Sequence, residues 1–190
     1  MQSVCRLIVL MVALYSASAI GGKIIEVRTD LEDVFLISET DQWNVKVERE
    51  LTLRFADVRV EDKRGYPFSL MLYFKADTPD LAQFDTPEKI ERSVRSSSEK
   101  YLSGAVEKKI TIHKVPVSGT YGFYTVLTDA DIANKPNPKP REFKFLTRGM
   151  VRLSKNSVLG FSLMTSDTES DNYRRLLDFV YRFVKSGANG

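Results

Sequence analysis

Cysteine and histidine are almost missing from this chain, with one of each in 190 residues, Cys5 and His113. Cys5 lies in an N-terminal apolar segment that reads as removed before folding, so the remaining chain has no thiol. That excludes structural disulfides, thiolate nucleophiles and cysteine metal sites together. One histidine without thiols also leaves a zinc site without its usual ligands, so neither a metal nor a cofactor is expected. Glycine spacing excludes more. Neither Gly-x-Gly-x-x-Gly nor Gly-x-x-x-x-Gly-Lys-Ser/Thr occurs to cradle nucleotide phosphates, and no Gly-x-Ser-x-Gly elbow presents a serine nucleophile. No apolar run approaches the roughly 20 residues of a membrane-spanning helix. Asn-x-Ser/Thr acceptors are absent too, which leans toward a bacterial source.

The N-terminus has the layout of an export signal. Arg6 precedes the apolar run Leu7 to Tyr15, and Ala17-Ser18-Ala19 supplies the small residues a signal peptidase needs. Residues 1–19 are therefore read as a cleaved signal peptide with Ile20 as the first mature residue. No cysteine follows the cleavage point to carry a lipid, so a soluble periplasmic or secreted product is expected. Its 171 residues suit one domain over 20–185, with 186–190 as a flexible tail. Arg6 is the only charge in the signal, leaving 27 basic against 25 acidic residues, a balance of +2. So near to neutral, the chain has no general electrostatic reason to bind nucleic acid.

Periodicity predicts an α+β fold. Short β-type runs cover Ile24 to Val27 and Val34 to Ile37. Val45, Val47, Leu51, Leu53 and Phe55 then alternate with polar residues as one half-buried strand, and a parity change at Val58 and Val60 calls for a bulge or turn near Ala56-Asp57. Phe68 to Phe74 is apolar at both parities, the pattern of a strand covered on both sides. Thr86-Pro87-Glu88 opens a helix running to about Ser103, with Ile90, Val94, Tyr101 and Leu102 as its stripe. Strands are expected over Val106 to Val117, Tyr121 to Thr128, Phe143 to Leu153 and Val158 to Thr165. Tyr173, Leu176, Leu177, Val180, Tyr181 and Val184 mark an amphipathic helix over 171–185. Together these predict an antiparallel sheet sandwiched by helices.

Candidate chemistry is sparse. His113 falls at the polar parity of its strand, the pattern of a solvent-facing side chain. Asp129 and Asp131 follow a strand, and Asp167, Glu169 and Asp171 flank the last helix. Such clusters suit caps and turns, and neither matches an EF-hand loop. The segment from Thr128 to Arg141 is unusual for Pro136, Pro138 and Pro140 at alternate positions, which stiffen it into a protruding loop. Between Lys135 and Lys155 seven basic residues face one acid, Glu142. Lys144, Arg148 and Arg152 share a parity opposite to Phe143, Phe145, Val151 and Leu153, and are expected to line an exposed strand face. Lys135, Arg141, Lys144, Arg148, Arg152, Asp129 and Asp131 are accordingly the candidate binding residues, with a solvated face as the bland alternative.

The stretch from Gly119 to Gly149 also carries a resemblance. A strand ending in Thr128-Asp129, a Lys135-Pro136 loop, then Glu142-Phe143-Lys144 and Thr147-Arg148-Gly149 resemble a pattern in small exported bacterial proteins of uncharacterised function. The order of helix, antiparallel strands and terminal helix is similar to the Mog1/PsbP-like fold, a sheet between helices used mainly for protein association. The resemblance implies no active site. Taken together, the sequence points to an exported, non-catalytic binding or assembly protein acting through the basic strand face and proline-rich loop, with an envelope protein or an anionic ligand as partner. The alternative is an envelope hydrolase using carboxylates or serine, which would require Asp129, Asp131, Tyr121 and His113 to meet in one pocket.

Overall fold

A computed structural model of the chain describes residues 24–28, 34–38, 43–50, 55–62, 68–76, 79–154 and 157–187. The segment read as a signal peptide, 1–19, lies outside the described residues. Among the described residues nine strands and three α-helices follow in order: β1 (Ile24–Arg28), β2 (Val34–Ser38), β3 (Trp43–Glu50), β4 (Phe55–Asp62), β5 (Phe68–Ala76), α1 (Pro87–Glu99), β6 (His113–Lys114), β7 (Gly122–Thr128), the single turn α2 (Ala130–Ala133), β8 (Phe145–Ser154), β9 (Ser157–Thr165) and α3 (Asp171–Gly187). Strands β3 to β9 form one antiparallel sheet in the order β3-β4-β5-β9-β8-β7-β6, and β1 with β2 makes a separate hairpin. The fold is α+β.

Alternation along the strands sorts side chains onto two faces. In β8 the odd residues Thr147, Gly149, Val151 and Leu153 are buried while their even neighbours are half-buried. The odd residues share a face with Val58, Val60, Leu70, Leu72, Phe161 and Leu163, and α3 closes it with Tyr173, Leu176 and Val180. Gly149 has its reason here. Its partner across the ladder is Phe161, and a Cβ at 149 would stand 2.2 Å from the Phe161 ring. The opposite face packs Phe123 and Val158 against Phe84, Ile90 and Val94, so α1 covers that side over β7 and β8.

The helix starts obey their sequence signals. Thr86 Oγ1 accepts the Lys89 amide at 3.3 Å and Pro87 occupies the first turn. The buried stripe of α1 is Ile90, Val94 and Ser98. Small Ser98 continues the four-residue spacing where the sequence suggested an interruption. The helix stops at Glu99, so Tyr101 and Leu102 lie beyond it, Leu102 in a short 3-10 turn with Gly104.

Three expectations change. The strand read from Val45 to Phe55 is a hairpin of β3 and β4, with Val45 facing Val60 and Val47 facing Val58. No bulge falls at Ala56-Asp57, since β4 runs in unbroken register through them and Phe55 and Val58 take opposite parities within it; Leu51 and Leu53 lie outside the described residues. The strand expected over Val106 to Val117 shrinks to His113–Lys114. Upstream, the segment meets the end of β7 only through the Val106 amide on the Thr128 carbonyl at 2.9 Å and the Ala105–Asp129 bridge, while the Glu107 carboxylate takes both the Thr128 amide and its hydroxyl, each at 2.8 Å. Further along, the Ile110 carbonyl turns to accept from Arg95 of α1 at 3.0 Å. Last, α3 runs to Gly187, two residues into the stretch read as tail, and its fully buried leucine is Leu176, with Leu177 half-buried. Among the described residues no helix is long and apolar enough to cross a membrane.

Candidate binding site

The acidic candidates are occupied by local structure. Asp129 Oδ1 accepts the amides of Asp131 at 2.9 Å and Ile132 at 3.1 Å, capping α2, while Asp131 points into solvent in that first turn. His113 is exposed on the edge strand with its ring stacked on Tyr124 at 5.1 Å. Tyr124 and Asp129 are five positions apart along β7 and its end, about 17 Å at strand rise. Tyr121 lies still farther from Asp129, about 27 Å by the same measure, and its hydroxyl reaches the Phe84 carbonyl at 3.4 Å. The four groups needed by the hydrolase alternative are thus dispersed, with His113 on β6, Tyr121 just before β7, and Asp129 and Asp131 beyond its far end.

The basic candidates divide into two groups. Lys135 belongs to a closed loop: its ammonium donates to both Glu142 oxygens, at 2.7 and 2.6 Å, and the Lys139 amide donates to the same carboxylate at 2.6 Å. These bonds hold the Glu142 carboxyl below the ordinary carboxylate range, chiefly through the Lys135 contact. Glu142 therefore ties the proline-rich segment into a bracket. Its carbonyl also accepts from Ser166, fixing the bracket to the turn before α3. Arg141 is exposed at the end of the bracket with a left-handed φ of 72°.

Lys144, Arg148 and Arg152 do share a face, but it is the α1 side of the sheet and all three are half-buried rather than exposed. The expectation of an open strand face is corrected on this point, because α1 leans over β7 and β8. The three are also spread out, each about 13 Å from the next along β8. Lys144 sits over the Phe145 ring at 5.4 Å, and Arg152 donates to the Phe84 carbonyl at 3.1 Å. Arg148 donates to the Tyr101 hydroxyl at 2.7 Å with its guanidinium 5.1 Å from the ring centre. Tyr101 takes one of its five N–H donors. Among the described residues no carboxylate pairs with Arg148, whereas Arg95 and Arg174 each meet an acid.

Arg148 borders a cleft of about 200 Å³ between α1 and the sheet. Tyr73, Phe84, Val94, Met150 and Val158 give it mainly apolar walls, and Ser97 adds a hydroxyl. Gly160 leaves the space open. A Cβ there would meet nothing nearer than Tyr73 at 3.7 Å. Sequence patterning missed this cleft because it depends on where α1 docks over β7 and β8, beside Gly160 of β9. Tyr101 was legible only as an apolar position, although its hydroxyl is what fixes Arg148.

No family model and no curated relative matches the sequence. Among solved structures, the chain is similar to the solution structure of cyanobacterial PsbP (CyanoP) from Synechocystis sp. PCC 6803, with a TM-score of 0.48 and 12% identity, over 84% of this chain and 89% of that one.

Proposed function

We propose that this protein is an exported, non-catalytic binding protein that engages an anionic ligand or envelope partner on the α1 side of β8, with the Glu142-closed proline bracket as its neighbour. One observation carries the reading: Arg148, a half-buried residue, presents its guanidinium at the rim of an apolar cleft, held by the exposed Tyr101 hydroxyl and matched by no carboxylate among the described residues. A guanidinium with no carboxylate partner beside apolar walls keeps donors that an incoming anion can take as charge-assisted bonds. The export signal over 1–19 supports placing this activity in the periplasm or outside the cell. No observation favours the hydrolase alternative, since Asp129 is spent as a cap and His113 lies far from it along the sheet.

The test is crosslinking and affinity capture from the native envelope with wild-type protein and the Lys144→Glu/Arg148→Glu variant. Loss of the captured partner from a variant of unchanged fold is the expected result. Identical capture by both proteins would remove this face from consideration and turn attention to the proline bracket. Processing is checked on the same preparation, where intact mass should give Ile20 as the N-terminus.

A further inference from the structure

We infer that the cleft between α1 and the sheet takes a small amphipathic monocarboxylate, its carboxylate on Arg148 and its apolar tail over Gly160. The inference rests on the binding reading above and names the ligand class for the same site. Size sets the first limit. At about 200 Å³ the cleft falls below the 300–1,000 Å³ or so of drug-sized sites, which suits a short fatty acid or an aromatic acid. Its walls set the second. Tyr73, Phe84, Val94, Met150 and Val158 reward an apolar body, and the missing side chain at Gly160 provides the room.

The head group follows from charge. Arg148 offers a planar fork suited to a carboxylate, and Tyr101 fixes the fork's position through one donor while leaving the others available. The next cations on this face, Lys144 and Arg152, start from backbone positions about 13 Å away along the strand, neither lines the cleft, and Arg152 is engaged by the Phe84 carbonyl. A single guanidinium balances a monoanion, whereas a dianionic phosphate would keep an unbalanced charge against apolar walls.

The experiment uses protein purified after expression of the full chain, followed through the backbone amide NMR signals of Gly149 and Gly160. Hexanoate is the probe, with acetate, 1-hexanol and hexyl phosphate as controls. Saturable shifts are expected with hexanoate, and affinities about tenfold or more weaker for acetate and hexanol, which lack the tail or the charge. Arg148→Gln should weaken hexanoate about tenfold or more and leave hexanol unchanged. Gly160→Val, its fold verified by the remaining signals, should abolish hexanoate binding by filling the cleft, and the milder Gly160→Ala should weaken it. Absence of saturable hexanoate shifts, equal binding by Arg148→Gln, or tighter binding of hexyl phosphate would each overturn the assignment. If hexanoate fails while envelope capture still depends on Arg148, the ligand class is wrong and the binding reading stands. If capture is also indifferent to Arg148, both fall.

Discussion

Tyr173 and Thr147 form a buried bond whose energetic worth can be isolated. The two hydroxyls lie 2.8 Å apart between α3 and β8, and the residues are 7% and 0% exposed. Burial pushes the Tyr173 phenol above its ordinary range, as expected for a hydroxyl kept neutral inside the core. Tyr173→Phe keeps the ring in place and leaves the Thr147 hydroxyl without a partner; Thr147→Val does the reverse. Each single change should cost about 1–3 kcal/mol, because an orphaned buried hydroxyl carries its full desolvation penalty. The double variant removes both polar groups, so its loss should fall short of the summed singles by about 1 kcal/mol or more. In a chain of this size each kcal/mol is about 2–4 °C of Tm. Urea unfolding of the four proteins, with a constant denaturant slope, measures the coupling. Strict additivity, or a neutral Tyr173→Phe, would show that this bond does not tie α3 to the sheet.

Gly149→Ala should destabilise by about 1–3 kcal/mol, since the new methyl would collide with the Phe161 ring and with Tyr124 Cβ, while Gly160→Ala should stay within about 1 kcal/mol; equal melting losses would contradict the two-faced assignment. Leu176→Ala should cost about 2–5 kcal/mol in denaturant melts and Arg174→Ala less than about 1, as the first is fully buried and the second makes only surface ion pairs. Because the Lys135 ammonium and the Lys139 amide lower the Glu142 pKa, the bracket is stabilised above the ordinary carboxylate range and loses this as pH falls through the lowered value. NMR titration of the Glu142 carboxyl carbon should show its midpoint moving up in Lys135→Gln, and an unmoved midpoint would deny the contact its role.

The strands and helices that depend on local pattern were legible. Thr86-Pro87 announced α1, the alternating β8 residues announced two faces, and the three- and four-residue spacing in α3 announced its buried stripe. What escaped depends on contacts distant in sequence. Glu107 bonds Thr128 at the end of β7, 21 residues away, and nothing in the run from Val106 to Val117 signals that. The β3–β4 reversal escaped because its apolar positions keep the period of a single strand across the turn. At the candidate site, parity placed Arg148 and Arg152 on one face correctly, but exposure depended on where α1 lies. Tyr101 and Gly160 gain meaning only when that helix is docked.

The pairing of β5 with β9 has a consequence in time rather than in space. Phe68 to Ala76, apolar on both parities, finds its neighbour only in Ser157 to Thr165, about 80 residues or more later in the chain. Until then one edge of β5 is open, so the β3-β4-β5 meander leaves synthesis as an incomplete sheet with an apolar rim. Closing so long a loop is slow compared with forming a hairpin, because its entropy must be overcome before the contacts repay it. A chain built this way holds that apolar rim uncovered until its last strand is made. The sheet is therefore complete only once β9 arrives, close to the end of the described chain.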